Sequence, residues 1–278
     1  MRIGRSVLLR AVGAALLHQL ARSSLARAQR FPPDDVPPSP LQPRGPSRPL
    51  RLPASARVPI LMYHYISDPP TNANRLRRNL SVSPKTFEQH LRYLAEHGYS
   101  TISLYDLYAH LSEGRPLPPR SVILTFDDGY LDAYTNAFPL LKQYGMRGTF
   151  FIVTDFINYR NPNYITWDMA REMFLGGMNV ESHGRTHSDL RKRSFQFLVW
   201  EVLGPLEQIA HYVGHRSRFF CYPGGQYDDH VIAVLRSVHK WGAVTTQHGY
   251  LHTLQNAMTW PRVRVTNESP IQSLLAVI

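Results

Sequence analysis

Two rhythms of apolar residues alternate along the chain. Short, nearly unbroken apolar runs that end in polar residues read as buried strands, as at 58–64 and 121–126. Between them apolar residues recur at helical spacing. Phe87, Leu91 and Leu94 do so after Ser83-Pro84, where serine caps and proline takes the first helical position. The pattern predicts strands over 58–64, 121–126, 148–153, 178–181, 218–222, 242–246 and 262–265. It predicts helices from about Ser83 and over 136–144, 168–175, 194–213 and 229–238. Strands alternating with helices imply a parallel sheet. The expected class is α/β: a distorted (β/α) barrel, complete or incomplete, of about seven parallel strands. An open doubly wound sheet is the competitor. Either fold puts reactive groups at the C-terminal ends of the strands.

The first 56 residues break this rhythm. Residues 1–28 read as a signal peptide: Arg2 and Arg5 precede a largely apolar run from Val7 to Leu20, and Ala26-Arg27-Ala28 offers a cleavage site. Ten of the 22 prolines fall between Pro32 and Pro59, so residues 29–56 are expected to form an extended tether. The domain proper is then 57–278.

Composition narrows the function classes. The net charge of +11 suggests nucleic acid at first. Five arginines and no acids lie in the leader, and the remaining residues carry 26 basic against 20 acidic groups. No lysine-rich run or aromatic stacking motif follows, so a nucleic-acid partner is not expected, and the charge suits association with an anionic envelope. A single cysteine, Cys221, rules out an internal disulfide and a multi-cysteine zinc site.

Chemistry concentrates where predicted strands end. Thr125-Phe126-Asp127-Asp128-Gly129 puts two carboxylates at a glycine turn. Clustered carboxylates are costly without a cation to compensate them. Ser182-His183-Gly184-Arg185-Thr186-His187 offers two histidines four apart, which on a helical turn share one face and suit a divalent ion. Either motif alone is unremarkable as a turn. Together, on one rim, an aspartate and two histidines make a facial triad with open positions. Phe219-Phe220-Cys221-Tyr222-Pro223-Gly224-Gly225 is a third strand end, where the Gly224 N–H could meet a developing oxyanion. His64, after Leu61-Met62-Tyr63, is a fourth rim candidate, able to donate a proton.

In this order the motifs resemble those of the NodB-type polysaccharide deacetylases, carbohydrate esterase family 4, over about residues 57–265. Leu61-Met62-Tyr63-His64, Gly148-Thr149-Phe150-Phe151 and Tyr222-Pro223-Gly224-Gly225 are most similar to the branch acting on poly-N-acetylglucosamine. The resemblance implies that Asp128, His183 and His187 hold a divalent metal, zinc first, with nickel, cobalt or iron as alternatives. It implies Asp127 as general base, His64 as general acid, and Gly224 in the oxyanion hole. Tyr222 and Trp167 are expected to contact substrate, Trp167 equally being a core candidate. One departure stands out: the family's arginine that orients the base is replaced by Cys221.

The expected activity is metal-dependent removal of N-acetyl groups from an amino sugar polysaccharide, in the periplasm, at the cell envelope or outside the cell. No protein partner can be named. The rivals are a non-catalytic carbohydrate-binding homologue and a deacetylase of peptidoglycan or acetylated xylan.

Overall fold

The computed structural model describes residues 52–238 and 240–275. The expected signal peptide, residues 1–28, and most of the expected tether, residues 29–56, therefore lie outside the described residues. Ala56–Arg57, at the tether's expected end, already belongs to the fold, because it pairs antiparallel with Leu251–His252.

Seven parallel strands form the centre: β1 Ile60–Tyr63, β2 Ser121–Phe126, β3 Thr149–Ile152, β4 Asn179–Ser182, β5 Phe219–Cys221, β6 Gly242–His248 and β7 Trp260–Arg264. Each pairs with its successor in the chain. The last returns to the first, Val263 lying opposite Leu61 and Arg264 opposite Met62. The ring is closed, which excludes the open doubly wound sheet. The strands sit within a few residues of the predicted ranges.

Side chains alternate across each strand, and this builds two layers. Val122, Leu124, Phe126, Val180, Val263 and Val265 point outward into a core shared with α1 Pro84–Glu96, α3 Phe138–Gln143 and α4 Trp167–Leu175. Phe220, Tyr222 and Ala243 meet Leu198 and Val202 of α5 Phe195–Tyr212 and Val231, Val234 and Leu235 of α6 Asp229–Ser237. Ile60, Ile123, Phe151, Phe219, Cys221, Val244 and Trp260 fill the lumen.

The lumen is plugged from below by α2 Leu104–Glu113, an element the apolar rhythm did not flag. Leu104, Leu107 and Leu111 enter the lumen cluster. Its signals are local: Ser103 and Asp106 form a capping box, and Gly114 ends the helix at φ 72°. Among the described residues no helix is long and apolar enough to cross a membrane.

Polar groups enter the lumen at both ends. At the lower end, Glu181 of β4 is fully buried. Tyr105 and His215 donate to its Oε1 at 2.7 and 2.9 Å. Ser217 Oγ and the N–H groups of Arg218 and Phe219 donate to its Oε2 at 2.7, 3.0 and 3.0 Å. Lys240 donates to Ser217 Oγ at 2.6 Å and to the Phe219 carbonyl at 2.7 Å. The upper end is built differently.

Candidate active site

Four strand ends meet at the upper rim. After β2 the chain turns sharply, with Asp128 and Gly129 both at φ 76°. A Cβ on Gly129 would lie 3.3 Å from Ile152 Cγ2, so glycine is required there both for conformation and for room. Asp128 in this region costs about 1–3 kcal/mol of backbone strain. The turn separates the two carboxylates: Asp127 continues the inward parity of Thr125, while Asp128 swings toward the histidines.

Asp128 Oδ1 lies 3.2 Å from His183 Nε2 and 3.3 Å from His187 Nε2. Among the described residues the buried Oδ1 has no other hydrogen-bond partner, so these two imidazoles are its only polar neighbours within reach. His183 Nδ1 lies 2.7 Å from the Cys221 carbonyl. A proton there leaves Nε2 as a lone pair facing Asp128. The two imidazoles are near perpendicular, at 81° and 4.9 Å between centroids. One carboxylate oxygen and two imidazole nitrogens thus lie within 4.8 Å of one another, a donor set that suits a divalent cation. Burial alone would raise the Asp128 carboxyl; His183 and His187 outweigh it and hold the group well below its usual range. The Asp128 carboxylate, 3.3 Å from His187 Nε2, raises His187 against its own burial, so a bound cation would take the place of a proton shared between the two.

The histidine pair corrects the sequence expectation in one respect. His183 to His187 is not a helical turn but an irregular loop, with Gly184 at φ 81° and His187 at φ 62°. The N–H groups of Arg185 and Thr186 find Glu201 of α5 instead of helical carbonyls, at 2.8 and 3.1 Å.

Asp127 is 2% exposed and clamped by an arginine. Arg262 of β7 donates Nη1 to Oδ1 at 2.8 Å and Nη2 to Oδ2 at 2.7 Å. Its Nη1 also reaches Thr125 Oγ1 at 3.0 Å, and its Nη2 lies 3.2 Å from Cys221 Sγ. Burial favours the protonated carboxyl, but the charge of Arg262 prevails and holds Asp127 at about 2. This revises the expectation for the missing arginine. Cys221 takes the arginine's place in its own strand, and the guanidinium arrives from β7. The sequence carried one signal. Arg262 and Arg264 alternate with Val263 and Val265, so the strand's second face is basic and, in a closed barrel, points into the lumen.

His64 is buried beside this pair, its Nε2 3.9 Å from Asp127 Oδ2 and its Nδ1 without a hydrogen-bond partner. Burial lowers its pKa, and the two aspartates oppose that only in part. Gly224 stands exposed at the rim with φ 59°.

Tyr222 does not face the site. It is fully buried on the outer side of the barrel, donates its hydroxyl to the Met258 carbonyl at 2.9 Å and stacks on Tyr227. Strand parity explains the error: Cys221 points inward, so Tyr222 must point out. Trp167 stacks on Tyr212 at 4.7 Å and donates its indole N–H to Asn158 Oδ1 at 3.0 Å. It lines a cavity of about 440 Å³ that shares Tyr164 and Leu131 with a second, of about 520 Å³, bordered by Tyr65 and Tyr130.

Comparison with known proteins agrees with this geometry. A family model described as polysaccharide deacetylase matches residues 114–243, a stretch that takes in Asp127, Asp128, His183, His187 and Gly224 but neither His64 nor Arg262. YxkH of Bacillus subtilis (strain 168), named as a polysaccharide deacetylase, is 31% identical over 211 residues, 76% of this chain and 72% of that protein. The poly-beta-1,6-N-acetyl-D-glucosamine N-deacetylase of Staphylococcus epidermidis is 27% identical over 205 residues, 69% and 70% of the two chains. The solved structure of the Streptococcus pyogenes deacetylase PplD in complex with acetate matches with a TM-score of 0.74 at 27% identity, covering 80% of this chain and 98% of that one.

Proposed function

The chain belongs to the polysaccharide deacetylase family, and from that premise we propose that it removes N-acetyl groups from poly-β-1,6-N-acetyl-D-glucosamine with the help of a divalent metal. One observation carries the chemistry: the converging donors of Asp128, His183 and His187 lie beside an ionised carboxylate, Asp127, held by Arg262. The polymer is suggested by the Staphylococcus epidermidis relative.

Asp128, His183 and His187 hold the ion, with zinc first and nickel, cobalt or iron as alternatives. When bound, it supplies a Lewis acid that polarises the acetyl carbonyl and acidifies the attacking water. Asp127 takes the water's proton; Arg262 keeps this carboxylate ionised and aimed beforehand. His64 starts neutral at pH 7, because burial lowers its pKa. Its Nε2, 3.9 Å from Asp127 Oδ2, is one small shift or one bridging water from collecting that proton and delivering it to the departing amine. The Gly224 N–H donates to the oxyanion. The products are acetate and a free glucosamine unit. The tyrosine-bordered cavities offer aromatic faces to neighbouring sugars, with Trp167 at the far one. In this reading residues 1–28 direct export, and the enzyme works in the periplasm or at the cell envelope.

The non-catalytic rival drew its support from the missing arginine, and the clamp of Arg262 on Asp127 removes that support. The deciding experiment is acetate release from a β-1,6-linked N-acetylglucosamine oligomer, with chelator and after metal is restored. Metal-restorable release is expected. No release with any divalent metal, on this oligomer or on chitin, peptidoglycan or acetylated xylan, overturns the reading in favour of a binding protein.

A further inference from the structure

The loop that carries both histidines has an unusual support. Glu201 sits on α5, wholly buried. Its Oε2 accepts the N–H groups of Arg185 and Thr186 at 2.8 and 3.1 Å, and its Oε1 accepts the Thr186 hydroxyl. A Cβ on Gly184 would lie 3.2 Å from Oε2, so loop and carboxylate are in close contact. Among the described residues no lysine, arginine or histidine forms an ion pair with Glu201. The nearby arginine is engaged elsewhere: Arg185 Nε donates to Asp155 Oδ1 at 3.1 Å. A buried carboxylate satisfied only by neutral donors gains from a cation brought close to it. The loop it grips holds His187 in the left-handed region, a conformation that persists only when its surroundings enforce it.

We propose that Glu201 is a positioning residue for the metal centre: by gripping the N–H groups of Arg185 and Thr186 and the Thr186 hydroxyl, it holds His187 in its strained, ligating conformation and thereby sets the affinity for the divalent ion. The proposal rests on the reading of Asp128, His183 and His187 as metal ligands. The α5 helix then serves the site without touching substrate. Its packing against the barrel through Leu198 and Val202 gives the clamp a rigid base.

The test uses the full chain stripped of metal. Cobalt(II) is titrated in, with the visible ligand-field bands and competition by a chelator giving Kd, and melting of the metal-free protein is followed in parallel. Glu201→Ala is expected to weaken cobalt binding by about 10–100-fold and to alter the bands. Glu201→Gln keeps one acceptor oxygen and loses the charge, so a smaller loss is expected. Thr186→Val removes the hydroxyl's contacts with Glu201 Oε1 and with Ser188 Oγ but keeps both N–H contacts to Oε2, and the smallest loss is expected there. It carries the test with Glu201→Gln if Glu201→Ala does not fold. Variants that melt earlier yet bind cobalt with the wild-type Kd and bands overturn the proposal and leave the metal reading intact. A wild-type protein that binds no cobalt, zinc or nickel overturns both together.

Discussion

The barrel holds a buried carboxylate at each end, and the two are treated in opposite ways. Glu181, below, receives five donors from Tyr105, His215, Ser217 and the Arg218 and Phe219 N–H groups. Asp127, above, receives the two arms of one guanidinium and a Cys221 thiol at 3.5 Å. Around Glu181 every donor is turned inward and the cluster is self-satisfied. Around Asp127 polar capacity is left over: Asp128 Oδ1 is buried with no hydrogen-bond partner beyond the two imidazoles, and His64 Nδ1 is buried without one. Saturated networks stabilise and specify a fold, whereas unsatisfied groups at a rim await a ligand. Burial alone does not separate the two carboxylates, since both are held below their usual range against it. Unspent donors and acceptors do.

The comparison breaks most sharply on Asp127→Asn. Turnover should fall by about 10²–10⁴-fold, the usual contribution of a general base, with metal content unchanged. Acetate release and metal analysis on the same sample check this. Full activity would move the upper carboxylate into the structural class with Glu181.

Arg262→Met comes next and acts on stability. Leaving a buried carboxylate without its partner should cost about 3–5 kcal/mol in urea unfolding, and the double change with Asp127→Asn should cost less than the single one. The pH dependence has a definite sign. Asp127 has a lower pKa folded than unfolded, so its stabilisation is complete above 3.8 and is lost as pH falls through about 2. An acid unfolding limb that is the same in wild type and Arg262→Met would argue against this pairing.

Glu181→Gln should cost about 1–3 kcal/mol, because the amide turns a donor toward donors, while the folded enzyme keeps its turnover number. A lost turnover number with unchanged stability would erase the distinction between the two ends.

The last prediction concerns Lys240, which lies outside the reaction and which burial lowers from 10.5 to about 7 despite the pull of Glu181. Between those values the unfolded chain binds more protons, so stability should rise with pH across about 7 to 10.5. Lys240→Met should flatten that rise in melting curves without changing acetate release.

Much of this was legible in the chain. All seven strands of the barrel and the rim positions of Asp127, Asp128, His183, His187 and His64 follow from apolar runs that end in polar residues. The α2 plug was legible too, through its capping box and terminal glycine, but its signals are local rather than periodic. Tyr222 was misjudged because a residue at a strand end can face either way until the parity of its strand is known.

What the sequence determined by itself was local: where the chain turns and which reactive side chains stand at those turns. Apolar periodicity and turn chemistry act over a few residues and need no partner. What only the tertiary structure decided was pairing across the barrel. Arg262 meets Asp127 over 135 positions of chain, and Glu201 meets Thr186 from a helix on the outer layer. Such contacts depend on closure of the ring and on which face of each strand turns inward. Both are set by packing of the whole core, not by any short stretch of residues.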